Sequence, residues 1–155
     1  MKFSTREDID APIDTVFEAI TRFDSFERAA TRRGVEVRRL SDAQTRDAGA
    51  AWSLSFMMQG KTRDVEVAIT RCEAPSTLEA SITSRNIAGE ATCALHQLSP
   101  ERTRMTVAVE VRPLTLSARV LLQPLKLAKT RLSSKFKARV AAFAAEVEAR
   151  EAGKT

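Results

Sequence analysis

The chain has no tyrosine, one tryptophan, one histidine and two cysteines in 155 residues, and each scarcity removes a class of function. Platforms that stack the bases of single-stranded nucleic acid are built from aromatic side chains. With aromatics at 5%, sequence-specific nucleic-acid binding is not expected. A structural zinc site takes four Cys or His ligands; His96, Cys72 and Cys93, dispersed along the chain, supply no such set. No metal and no cofactor are expected. The two thiols are too few for a disulfide scaffold and read as small buried hydrophobes. Five glycines and five prolines exclude collagen and Pro/Gly-rich disorder. No uncharged apolar run approaches the roughly 18 residues of a membrane-spanning helix. The segment Met1 to Asp8 has no apolar signal-peptide core, so a cytoplasmic protein is expected.

What remains is an ordinary globular composition, 43% hydrophobic and 29% charged, with the length of one domain over residues 1–155. The charge, +5 in all, is unevenly placed. Between Val111 and Ala145 there is no acid, while Arg112, Arg119, Lys126, Lys129, Arg131, Lys135, Lys137 and Arg139 supply eight cations. Such a run is either a solvated helix face or a surface that meets something anionic. Lys126, Lys129, Arg131 and Lys135 are its candidates for contact with an anionic membrane. Both a monomer and a homodimer are compatible with this composition.

Hydrophobic periodicity divides the chain. Met1 to Ile9 alternate as a strand. Asp10-Ala11-Pro12-Ile13-Asp14 starts a helix, with Asp10 as cap and Pro12 in the first turn, running to about Phe23. Asp24-Ser25 opens a short second helix through Ala30. Strands then follow at Val35–Arg38, 52–58, 63–72, 78–82, 91–97 and 105–111, separated by Ser41–Gly49, Gln59-Gly60-Lys61, Ala74-Pro75-Ser76, Arg85–Gly89 and Ser99-Pro100-Glu101. A last helix covers about Leu116 to Arg150, with Leu121, Leu125, Ala128, Leu132, Phe136, Val140, Phe143 and Val147 as one apolar stripe. Pro124 inside it kinks the helix or moves its start. A single antiparallel sheet has one apolar face to cover. The long helix covers it, and the space between them is a pocket for an apolar ligand.

The segment Ile9-Asp10-Ala11-Pro12-Ile13-Asp14-Thr15-Val16-Phe17-Glu18-Ala19-Ile20 resembles the N-terminal signature of the polyketide cyclase/dehydrase and lipid-transport group, within the START-related helix-grip (SRPBCC) superfamily. Ala118-Arg119-Val120-Leu121-Leu122-Gln123-Pro124-Leu125 is similar to that group's lid-and-helix segment. The resemblance spans Phe3 to about Val147. It implies an α+β helix-grip fold: a curved antiparallel sheet of six to seven strands around a long C-terminal helix, with two short helices after the first strand. It also implies binding or transport of a small hydrophobic molecule such as a lipid, isoprenoid or aromatic polyketide. An aromatase/cyclase activity and a module docking on an anionic membrane or partner are the alternatives.

Trp52, Phe56, Met58, Val67, Leu95, Met105, Val107 and Val109 are the expected lining, with Leu121, Leu122 and Leu125 as lid. Arg63 and Arg71 share a row with Val65, Val67 and Ile69 and are candidate anchors for a ligand carbonyl or carboxylate, as Gln97 is more weakly; the other reading puts them at strand ends, in water. Glu7, in the row of Phe3 and Ile9, and His96 are the candidate acid/base groups. The row Ala91-Cys93-Leu95-Gln97 faces inward, which turns His96 outward, although the row Ala94-His96-Leu98 is also fairly apolar.

Overall fold

The computed structural model of the chain describes residues 1–42 and 47–154. The order is β1 (Lys2–Ile9), α1 (Ile13–Ile20), α2 (Phe23–Arg32), β2 (Glu36–Arg39), β3 (Ala51–Met58), β4 (Lys61–Glu73), β5 (Thr77–Thr83), β6 (Ile87–Ser99), β7 (Arg102–Pro113), α3 (Leu116–Leu127) and α4 (Lys129–Ala152). The seven strands form one antiparallel sheet in the order β1-β7-β6-β5-β4-β3-β2, a six-stranded meander whose last strand β7 also pairs with β1. That pairing runs from Lys2 opposite Glu110 to Ile9 opposite Thr103. At the β3–β4 turn Gln59 and Gly60 both take positive φ, 54° and 75°, the primed turn that matches strand twist.

Several sequence-based boundaries move. Asp10 is not the cap of α1: Pro12 holds that position without a side-chain bond. The Asp10 carboxylate instead lies 3.5 Å from Arg102 Nε, and its backbone N–H donates to Glu148 Oε1 at 3.0 Å. Helix α1 ends at Ile20 and α2 begins at Phe23, so the break falls at Thr21-Arg22 rather than Asp24-Ser25. The β5–β6 turn is shorter than Arg85–Gly89, because Ser84 Oγ accepts from the N–H groups of Asn86 and Ile87 and β6 starts at Ile87. Residues 43–46 of the expected turn Ser41–Gly49 lie outside the described residues. The last helix is two helices, and its break is not at Pro124. Backbone passes through Pro124 in helical form to Leu127 and turns at Ala128 (φ −93°, ψ 13°), the C-cap of α3 and N-cap of α4.

Two apolar clusters hold the layers together. Ile9, Ala11, Val16, Ala19, Ile20, Leu95, Met105, Ala144 and Val147 form one, joining β1, α1, β6 and β7 to the C-terminal half of α4. Phe23, Ala50, Trp52 and Ile69 form the other, joining α2 to β3 and β4. Thr103, fully buried, donates its hydroxyl to the Ala11 carbonyl at 2.9 Å and so satisfies the loop before α1. Gly89 is required by close approach: a Cβ there would sit 2.3 Å from the Glu110 carbonyl oxygen on β7. Gly89→Ala is expected to destabilise the fold by about 3 kcal/mol or more in urea unfolding. Gly153→Ala, where a Cβ meets nothing nearer than 3.5 Å, serves as the neutral control.

Candidate functional site

Helix α4 packs chiefly on β1, beside α1 and α3, with Phe3 and Phe136 rings 6.0 Å apart. Its small and buried residues, Ala144 and Val147, seat one end in the first cluster. Nearer its N-terminus the stripe carries Phe136, Val140 and Phe143, which roof a cavity of 540 Å³ above the middle of the sheet. The floor is made by Trp52 and Leu54 of β3, Val67 and Ile69 of β4, Leu78 of β5, Cys93 of β6, and Met105 and Val107 of β7. Ile20, Phe23, Phe26, Glu27, Ala30 and Val37 close the side. Phe26, 46% exposed, meets Phe143 with ring centroids 5.7 Å apart, marking the seam between α2 and α4.

Of the lining residues only Glu27 and Arg139 carry charge. Glu27 Oε1 accepts from Arg39 Nη1 at 2.8 Å and from Trp52 Nε1 at 3.1 Å. The Arg39 guanidinium lies 5.2 Å from the centre of the Trp52 ring, a cation–π distance. Phe23 meets the same indole edge-on at 5.2 Å. Arg139, exposed on α4, has no ion-pair partner among the described residues. Burial pushes the Cys93 thiol up to about 12, and raises that of Cys72 as well. Neither is poised as a thiolate nucleophile.

Four sequence-predicted residues line the cavity: Trp52, Val67, Met105 and Val107. Leu95 belongs instead to the packed cluster under α1 and α4. Val109, between Phe3 and Ala91 in the sheet register, lies off the cavity. Phe56, Met58 and Arg63 sit toward the β3–β4 hairpin, Phe56 opposite Arg63, and also lie outside the lining. The Nε of Arg63 is buried with no hydrogen-bond partner. Arg71 is on the other face of the sheet from that expected. A bulge between Ile69 and Arg71 inserts Thr70, so the alternation reverses: Cys72 turns inward opposite Leu78, and Arg71 faces out to Glu73 at 2.8 Å and Glu79 at 3.6 Å.

Gln97 is exposed at the end of β6, clear of the cavity. Leu121 and Leu125 are half-buried on α3 and do not reach the cavity; the Leu121 carbonyl accepts from Gln59 Nε2 at 3.3 Å. His96 is exposed and opposite Arg104, on the outer face. Glu7 stands opposite Met105 without lining the cavity. Lys126, Lys129, Arg131 and Lys135 are exposed. Of the lining residues not expected from the sequence, eight come from two helices, α2 with Phe23, Phe26, Glu27 and Ala30, and α4 with Phe136, Arg139, Val140 and Phe143, and the others are Ile20, Val37, Leu54, Ile69, Leu78 and Cys93. Phe23, Phe26 and Ala30 recur at steps of three and four, the one signal that marked an inward face on α2.

Solved structures share this arrangement at low identity. A protein from Thermus thermophilus superposes with a TM-score of 0.69 at 13% identity, covering 97% of this chain and 99% of that one. The Zhui aromatase/cyclase from Streptomyces sp. R1128 gives 0.65 at 15%, covering 97% and 94%. A START superfamily protein from Mycobacterium smegmatis gives 0.59 at 16%, covering 99% of each chain. These likenesses are of fold. No curated protein matches the chain. The match of the family model for polyketide cyclase/dehydrase and lipid transport extends over residues 1–148, and the chain belongs to that family.

Proposed function

We propose that the protein binds and carries a small hydrophobic molecule (a lipid, isoprenoid or aromatic polyketide) in the cavity between the sheet, α2 and α4. The observation that carries this reading is the cavity itself: 540 Å³, with 16 of its 18 lining residues uncharged. A cavity within the roughly 300–1,000 Å³ range of small-molecule sites, walled by aromatic and aliphatic side chains, gains from desolvating an apolar body. Its charged groups, Glu27 and Arg139, belong to α2 and α4, so the ligand's polar end faces those two helices.

The cyclase reading needs an acid or base touching the ligand. His96, on the outer face, does not serve it, and Glu27 is the carboxylate within reach. Glu27 already accepts two hydrogen bonds that tie α2 to β2 and β3, which favours a wall-building role. Under the carrier reading Glu27→Gln lowers stability by about 1–3 kcal/mol and leaves affinity for a long-chain fatty alcohol within about threefold. Turnover of a poly-β-ketone that disappears in Glu27→Gln with affinity intact would establish the enzyme instead.

Native mass spectrometry of the protein as purified, followed by organic extraction, is expected to release a stoichiometric apolar passenger. Val107→Trp, which fills the floor, and Ala30→Trp, which narrows the side wall, are expected to weaken fatty-alcohol binding at least about tenfold, or 1.4 kcal/mol, by calorimetric titration. An empty protein that takes up no apolar compound would mean that this space serves packing alone. A thiol with its pKa raised to about 12 is only about 10⁻⁴ thiolate at pH 8. Iodoacetamide at that pH is therefore expected to spare Cys93 in the folded protein and to modify it after denaturation, read by peptide mass.

A further inference from the structure

We propose that α3 is a membrane-docking helix whose outer face lies on an anionic lipid surface. Ala118 and Leu122 are its buried residues, with Leu121 and Leu125 half-buried beside them; these hold α3 to the body of the protein. At 100° per residue, Leu116, Val120 and Leu127 fall within roughly 40° of one another on the opposite side. They are 79%, 69% and 90% exposed, and Leu114, just ahead of the helix, is 58% exposed. A single exposed leucine means nothing. Here an apolar ridge about 16 Å long, from 11 residues at 1.5 Å each, stands in water on a helix that already has its inward face covered.

Charge identifies the occupant. Arg119 and Lys126 flank the ridge on one side, and neither has an ion-pair partner among the described residues. Lys129, Arg131 and Lys135 continue the cationic surface onto α4, and no acid occurs between Val111 and Ala145. Apolar side chains in a row with cations beside them are the composition of a helix lying in the headgroup layer, leucines in the acyl region and cations at the phosphates. A second copy is a poorer fit. Pairing two α3 ridges brings Arg119 and Lys126 against their own equivalents with no acid to offset them, and a ridge of three side chains falls short of the about 800 Å² per partner of a stable interface. Arg131, Lys135 and Arg139 follow one another at four-residue steps along α4, carrying the cationic surface from beside α3 to a residue that lines the cavity.

Flotation with vesicles of phosphatidylcholine, with and without phosphatidylglycerol, tests this on the full chain. The protein is expected to bind the anionic vesicles at least about tenfold more tightly than the neutral ones, less so as salt rises. Replacing the ridge (Leu116→Gln, Val120→Gln, Leu127→Gln) is expected to reduce that binding at least about tenfold, with circular dichroism and fatty-alcohol affinity unchanged, since these side chains touch neither core cluster nor cavity. Arg119→Glu with Lys126→Glu is expected to abolish the preference for anionic lipid. Three results overturn the proposal: no binding to anionic vesicles, binding that survives loss of the ridge, or a lipid-free dimer that the ridge replacement dissociates. The two readings fail separately: Val107→Trp, which fills the cavity floor, is expected to keep vesicle binding, whereas vesicle binding by the unsubstituted protein with no uptake of fatty alcohol would sink the carrier reading alone.

Discussion

The seating of Ala144 and Val147 of α4 against Ile9, Val16 and Ile20 is the contact on which the rest of the architecture depends. Alanine has no side chain beyond Cβ, so the helix comes close to β1 and α1 there. Toward the N-terminus the same stripe presents Phe143, Val140 and Phe136: Val140 and Phe143 pack against the first cluster, and all three line the cavity. One helix face thus both closes that cluster and roofs the cavity.

A second constraint fixes the opposite wall. Helix α2 is short, and an isolated helix of its length is marginal in water. It is held by Phe23 in the second cluster and by one carboxylate oxygen of Glu27 that joins it to both Arg39 and Trp52. A charged group facing an apolar space is costly unless it is paired and hydrogen-bonded, and here it is both. The polarity that lines the cavity therefore also builds its wall, leaving Arg139 as the charged lining group with no ion-pair partner among the described residues.

Much of the fold was legible because period-two alternation survives wherever one face of a strand is buried. All seven strands, the meander order and the inward rows containing Trp52, Val67, Met105 and Val107 follow from it. What failed did so for identifiable reasons. Alternation has no means of registering an extra residue, so Thr70 reversed the facing of Arg71 unseen. Leu121 and Leu125 flank Pro124, and a proline in an apolar run signals a kink with a lid beside it. The break came instead at Ala128, where no glycine or proline announces it, and α3 turned those leucines onto the body of the protein. Phe136, Val140 and Phe143 belong to an apolar stripe, and a stripe looks the same over a filled core and over a void. The role of Glu27 depends on Arg39 and Trp52, 12 and 25 residues away, a separation that no local pattern carries.

Trp52 has one more consequence. It is the single tryptophan of a chain without tyrosine, and its indole forms part of the cavity floor, with its N–H on a carboxylate, a guanidinium over its face and a phenyl ring at its edge. Excited beyond the absorption of its phenylalanines, the protein thus emits from one point on the cavity wall. Any molecule that displaces solvent there changes the polarity around that chromophore, and the unlabelled protein reports its own occupancy as a shift in emission wavelength.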